Sequence, residues 1–394
     1  MGESEAPGFA TRIESLRGVA AMMVAVSHSL IVFSVNGITN IWEYSIQDVH
    51  GTQAFWTRLL AIPFNGNVAV TIFFVISGFV LGLSLDRRDP RLPVRFATFL
   101  AARVFRLYPA LLLCIAAIAG YWLWVGAPRD FPNTSEWYRW YHPMLTYGIW
   151  WRDELLLGCV LNPVAWTLQV EMLAALALPF LHLLSRARKP ALDLAALAAL
   201  IAAGVVFSNN IAAPQLFVFY LGLMVPTAGR RLIGGIGSAL QANLLMGLAL
   251  AMIFLPLALT GQPLMLNRVV EASGAFIFIS ALLYGKERAL FAALDSRVAR
   301  TYGRISYSFY LYHFFLLFVL SQVLLVWIPA SLTARAPLAV GISLALISVV
   351  VTTLVAGLSY QFVEQPGVRL GRWLAQALWA PRPALGELAE GEAE

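Results

Sequence analysis

Four side chains able to move protons stand inside apolar runs of this sequence: His28, Glu171, Tyr310 and His313. An ionisable group within a membrane costs about 2.5–3.5 kcal/mol on insertion scales, so each is a functional candidate by default. A neutral imidazole takes a hydroxyl proton near pH 7, and a carboxylate orients it or holds the charge that results. With a helical rise of about 1.5 Å per residue, His28 stands roughly 16 Å beyond Arg17 and His313 roughly 13 Å beyond Arg304. Counted from Pro163 at the opposite face, Glu171 is roughly 12 Å deep. In a hydrocarbon layer about 30 Å thick, all three fall near the midplane, and Ser77 and Gly78, counted from Asn67, reach the same depth. Ser306, Tyr310 and His313 share one helix face at i, i+4, i+7 spacing. A histidine satisfied by a neighbouring helix is the plainer reading of each residue alone, and an ion pair with a packing arginine is the plainer reading of Glu171. Their common depth favours a proton-transfer centre.

Arg103 and Arg106, at i and i+3, project from one helix face where an apolar run begins. Arginine forks match phosphate geometry, so an anionic cofactor with a pyrophosphate fits there. Ordinary anchoring of a membrane helix is the competing use.

The elements that position these groups are membrane helices. Only 12% of the 394 residues are charged and 60% are hydrophobic, against about 25% charged in a soluble domain. Mean hydropathy is +0.75. Runs near 16–35, 67–85, 107–125, 165–185, 191–207, 211–227, 240–259, 268–285, 306–328 and 337–360 approach the roughly 20 residues needed to cross a bilayer. The expected fold is an all-α polytopic bundle of about ten transmembrane helices. Alternate connections then hold 21 and 6 of the 27 Lys and Arg residues. This asymmetry places both termini in the cytoplasm and argues against nucleic acid as the reason for the net charge of +6. Segment 142–161 carries Arg152, Asp153 and Glu154 at its centre and reads as interfacial or re-entrant.

The first run, Leu16 to Val35, is too long for a signal-peptide core and has no small-residue cleavage site after it. Two loops, 36–66 and 126–164, are long; the second is rich in aromatics, as an interfacial belt or as a platform for a sugar or polyketide ring. Residues 1–378 read as one domain and 379–394 as a disordered tail. Cys114 and Cys159 are not placed to pair, and no metal-ligand spacing is present.

Six segments, in order, carry a resemblance: Arg17-Gly18 to His28; Ser77-Gly78-Phe79; Arg103-Val104-Phe105-Arg106 followed by Pro109; Trp166-Thr167-Leu168-Gln169-Val170-Glu171; Ser306-Tyr307-Ser308-Phe309-Tyr310-Leu311-Tyr312-His313; and Phe362-Val363-Glu364-Gln365-Pro366. Each is weak alone. Together they resemble the acyltransferase 3 family of bacterial membrane O-acyltransferases, which modify polysaccharides, lipid-linked sugars and some macrolides. Thr167 replaces the commoner serine but keeps the hydroxyl, and Met172 stands where many members have a second acid.

The resemblance implies a cytoplasmic (inner) membrane enzyme transferring an acyl group, usually acetyl from acetyl-CoA, to a hydroxyl-bearing acceptor. It implies that Arg103 and Arg106 hold the coenzyme phosphates, with Arg17 adding charge or fixing the first helix. His28 deprotonates the acceptor or carries the acyl group as a covalent relay. Tyr310 or His313 donates to the developing oxyanion, and Glu171 orients the acceptor from the far side. Ser77 belongs to the coenzyme side; Gly78 permits close helix approach or a ligand passage. Glu364 pairs with Arg17 or with the Arg103/Arg106 cluster, or is purely structural. The competing reading is a proton-coupled transporter that uses the same midplane residues as a relay; transporters often show pseudo-symmetric halves, and none is visible here.

Overall fold

The computed structural model describes residues 8–86, 92–143, 145–187, 189–285 and 288–379. The chain enters as α1 (Gly8–Leu30), then forms the short α2 (Thr52–Leu60) inside the first long loop, followed by α3 (Gly66–Asp86) and α4 (Leu92–Val125). The second long loop carries α5 (Glu136–Trp140) and α6 (Tyr147–Glu154). Next come α7 (Trp166–Ser185), α8 (Pro190–Val206), α9 (Leu216–Met224), α10 (Arg230–Gly234), α11 (Ala239–Thr260) and α12 (Met265–Tyr284). The series ends with α13 (Arg297–Leu324), α14 (Ala330–Arg335), α15 (Pro337–Ser359) and α16 (Gln365–Trp379). Named strands are absent among the described residues, where only isolated bridges such as Phe33 to Thr134 occur. The architecture is a nearly all-helical membrane bundle.

Eight helices among the described residues are long and apolar enough to cross a membrane. The expected runs 16–35 and 191–207 correspond to α1, which carries Arg12, Glu14 and Arg17, and to α8, which has only 17 residues. Two runs extend further than expected. The apolar part of α4 starts at Phe96, and α15 continues through a π-helical turn, Tyr360–Glu364, into α16. Segment 142–161 does not span; it folds as α6 and an extended return. Residues 380–394 of the expected tail lie outside the described residues, as do Arg87, Arg88, Arg91, Arg188, Lys286 and Arg382 from the charge reckoning.

The bundle is built around α13 and α3. In each, 72% of the most apolar stretch is buried, against 22% in α11, so α11 sits at the periphery facing lipid. α1 lies along α13, and small residues allow the approach. A Cβ on Gly18 would collide with the Tyr302–Gly303 backbone, and one on Gly303 with Glu14 and Ser15. Gly78 of α3 and Gly222 of α9 interlock likewise, Gly78 against Phe219 and Gly222 against Val75. Without a hydrophobic drive between helices in lipid, such close backbone packing is the main source of association.

The two long loops cover one end of the bundle and are tied down. Ser34 N–H donates to the Asn133 carbonyl at 2.8 Å, and Ser135 N–H to that of Val32 at 2.8 Å. The buried Arg58 guanidinium donates through Nε to the Tyr44 carbonyl and through Nη2 to that of Leu257, both at 2.7 Å, joining the first loop to the end of α11. Half of the aromatic cluster in the second loop turns inward: Tyr138 and Tyr141 are buried, and the Trp137 ring lies 5.1 Å from that of His28, while Trp140 remains exposed.

Candidate active site

His28 sits near the end of α1 and His313 in the middle of α13, and the close α1–α13 packing brings them together. His28 Nδ1 lies 3.0 Å from His313 Nε2. His313 Nδ1 lies 2.5 Å from the Tyr310 carbonyl, three residues back on the same helix. A carbonyl only accepts, so His313 Nδ1 carries a proton and donates it. With both rings neutral, His313 Nε2 is then an acceptor, which requires the proton of His28 to sit on Nδ1. The remaining atom, His28 Nε2, is a free lone pair. Carbonyl, histidine and histidine thus form a directional relay that leaves a base at its end.

That base borders a cavity of about 360 Å³ beneath the two loops. Its inner wall includes His28, Trp137, Trp166, Tyr310 and Phe314; Trp42, Arg58, Asn65 and Asn67 line it nearer the loops. Trp137 and Phe314 clamp the imidazole, with ring centroids 5.1 and 5.7 Å from it. The composition, aromatic walls with a few polar groups, is that of a small-molecule site.

A second, narrower cavity of about 40 Å³ lies toward the other end of the bundle, lined by Arg17, Ser77, Thr167, Glu171, Tyr307 and Tyr310 among others. Tyr310 therefore lines both. Its hydroxyl is 3.0 Å from Thr167 Oγ1 and 3.3 Å from the Val164 carbonyl, so the expected donation to an oxyanion competes with bonds already made. His313 is likewise committed to the Tyr310 carbonyl and to His28.

Glu171 does not face the His28 cavity. It accepts from Ser77 Oγ at 2.6 Å and pairs with Arg103, whose Nη2 is 2.8 Å away. Glu171 and His28 are counted to one depth from the sequence, yet they stand apart along the bundle. Pro163 and Val164 already line the His28 cavity, so Glu171, eight residues on, lies roughly 12 Å further along the helix. Ser77 joins the same lower cluster. Gly78, its neighbour, points to the α9 backbone and serves packing.

Three arginines gather on this side. Arg103 is buried; its pair with Glu171 is not aligned along an N–H, and its Nε has no acceptor. Arg17 and Arg106 are partly buried and act electrostatically on Glu364, which accepts a hydrogen bond from Ser308 at 2.8 Å. The direct partner of Glu364 is thus a serine of α13, with the two arginines acting at longer range. Arg103 turns toward Glu171, while Arg106, one helical turn on, is close enough to act on Glu364 through charge.

The non-helical return before α7 reaches deep into the bundle and is held by side chains. Asp153 accepts the Leu161 N–H at 2.6 Å, Asn162 Nδ2 donates to the Leu311 carbonyl at 3.0 Å, and Tyr141 donates to the Leu161 carbonyl. Burial raises the Asp153 carboxyl above its ordinary range, only partly offset by the backbone donors at 160–162. Cys114 is buried against Leu311 and Asn162, and Cys159 is separate and free.

Sequence reasoning passed over Trp42, Asn65, Gln215 and Glu271, which line the large cavity or its extension. Glu271 was legible in principle as a carboxylate inside an apolar run. The others lie in loops or at helix starts, where nothing marks them.

The family model described as "Acyltransferase domain" matches residues 11–360. Acyltransferase MdmB of Streptomyces mycarofaciens is 26% identical over 377 residues, covering 86% of this chain and 91% of that protein. No solved structure matches.

Proposed function

The chain belongs to the acyltransferase 3 family and is a membrane acyltransferase, and from that premise we propose that it moves an acetyl or similar short acyl group from cytoplasmic acyl-CoA to a hydroxyl of an acceptor seated in the loop-covered cavity. The observation that carries this reading is the relay ending in the free Nε2 of His28 at the cavity wall. His28 takes the hydroxyl proton as the acceptor oxygen attacks the thioester carbonyl. The carbon–sulfur bond breaks, and the coenzyme thiolate recovers that proton from the His28 imidazolium. His313 holds the tautomer that makes this possible and stabilises the transient positive charge on His28 by accepting from Nδ1–H.

The donor enters from the opposite side, past Arg17 in the cavity wall and with Arg103 and Arg106 close by, arginines suited to coenzyme phosphates. Tyr310, common to both cavities, marks where the thioester and the hydroxyl meet. The narrow lower cavity must widen for the thioester arm, so side chains there move when the donor binds. With this orientation both termini are cytoplasmic and the acceptor side is extracytoplasmic, as in the inner membrane of a bacterium. A polysaccharide, a lipid-linked sugar and a macrolide all offer the hydroxyl this reading needs.

Purified protein in detergent, given acetyl-CoA and a panel of hydroxyl acceptors, tests the proposal. Wild type should release coenzyme A in an acceptor-dependent way. His28→Ala should bind acetyl-CoA yet turn over at least a hundredfold more slowly, and Arg106→Ala should weaken binding. A wild type that neither binds nor consumes any acyl-CoA would refute it.

A further inference from the structure

The loop-covered cavity continues into a side pocket, and the two share Asn67, Val70, Trp166, Leu257 and Pro263 as walls. The pocket, of about 30 Å³, reaches between α3, the start of α9 and α12, where Gln215, Asn267, Arg268 and Glu271 close it. Glu271 is 5% exposed and Gln215 7%. Neither side chain makes a hydrogen bond or ion pair among the described residues, and both line the pocket. Asn267 differs, since its amide is spent on Thr260 and Gln262, both at 2.7 Å. Arg268 acts on Glu271 only at a distance.

A buried carboxylate without a partner is costly, and natural proteins keep one where something completes it. A donor can complete it, because a carboxyl group keeps an accepting oxygen whether ionised or protonated. The space suits a single small substituent, since one water needs roughly 10–15 Å³ on the same measure. Trp166 stands at the junction between the pocket and the His28 cavity. A ring lying against Trp166 would thus present one edge to His28 and another to Glu271.

Resting on the acyl-transfer reading above, we infer that the acceptor is recognised at two points: one hydroxyl at His28, and a second, non-reacting hydroxyl donated to Glu271 in the side pocket with Gln215 as its neighbour. The acceptor class is a polyhydroxylated ring such as a glycosyl unit, and Glu271 and Gln215 are specificity-determining residues. An alcohol with a single hydroxyl uses only the first point.

The test measures binding and turnover separately on the full-length protein in detergent. Saturation-transfer NMR with methyl glycosides of glucose, mannose, galactose, rhamnose and N-acetylglucosamine reports binding without any donor. Acetyl transfer from acetyl-CoA to those glycosides and to cyclohexanol reports turnover. At least one glycoside should bind, and both Glu271→Gln and Gln215→Leu should weaken it, the former about ten- to a hundredfold. Acetyl-CoA binding and the unfolding temperature should stay at their wild-type values, which shows that the variants fold, and the preference for a glycoside over cyclohexanol should shrink. The deoxy analogue lacking the second hydroxyl should lose the same factor in wild type and nothing further in Glu271→Gln. Glycoside binding untouched by both variants, or no glycoside bound by wild type, overturns the subsite. If the variants weaken glycoside binding but wild type transfers acetyl to nothing, the subsite stands and the acyl-transfer reading falls.

Discussion

Replacing His313 tests the relay directly. His313→Ala removes the acceptor 3.0 Å from His28 Nδ1 and with it the reason for the proton to stay there. A hydrogen bond that becomes charged as the reaction proceeds is worth about 1.5–3 kcal/mol. At about 1.36 kcal/mol per factor of ten, kcat should fall roughly ten- to 150-fold. His28→Ala removes the base itself and should cost about 10²–10⁴. Because His313 acts through His28, the double variant should be no slower than His28→Ala alone. His313→Gln, whose amide oxygen can accept from His28, should recover part of the loss. The assay is acceptor-dependent release of coenzyme A, with acetyl-CoA binding measured beside it to show that the donor site is intact. Wild-type kcat in His313→Ala would refute the relay, as would a double variant slowed by the product of the two single effects.

Breaking the buried pair with Glu171→Leu should lower stability by about 3–5 kcal/mol, because Arg103 is left uncompensated; thermal unfolding in detergent should show Arg103→Met/Glu171→Leu recovering most of that loss. Gly78→Leu should force α3 off the α9 backbone at Phe219, destabilising by roughly 1–3 kcal/mol or preventing assembly, and a normal unfolding temperature would contradict the packing. Near the chain start, Arg12 holds the Asp295 carboxyl below its ordinary range through a 2.5 Å hydrogen bond. A depressed carboxyl contributes stability that is present above the unfolded value, about 4, and is lost as pH falls through the folded one. This pair is part-buried at the surface and still screened by solvent, so Asp295→Ala should cost about 1 kcal/mol or less at pH 7 and progressively less below pH 4, read from unfolding temperatures across that range.

Most of the helices were legible because a bilayer demands long apolar runs, and the two histidines because titratable groups are rare inside them. That His28 and His313 touch was less legible: counting rise gives depth but not which helices are neighbours. The Gly18 and Gly303 approach that seats α1 on α13 is visible only once the two are paired. Gly78 and Ser77 show the limit of motif reading, since adjacent residues of one segment point to an α9 backbone and to a carboxylate of α7. Glu171 shows the same limit: counting rise from Pro163 gives a distance along one helix, but Pro163 itself lines the His28 cavity and Glu171 lines the other one.

The buried return before α7 has a physical requirement that ties the loops to the site. Buried non-helical backbone needs protein groups or water to satisfy its polar atoms. Here Asn162 bonds the Leu311 carbonyl of α13, and within the aromatic loop Asp153 receives Leu161 N–H and Tyr141 bonds the Leu161 carbonyl. The same loop delivers Trp137 onto His28. Asp153 and Glu154, which argue against a spanning helix in the sequence, belong to the loop that leads into α7, and α7 carries Glu171 away from the His28 cavity to Ser77 and Arg103.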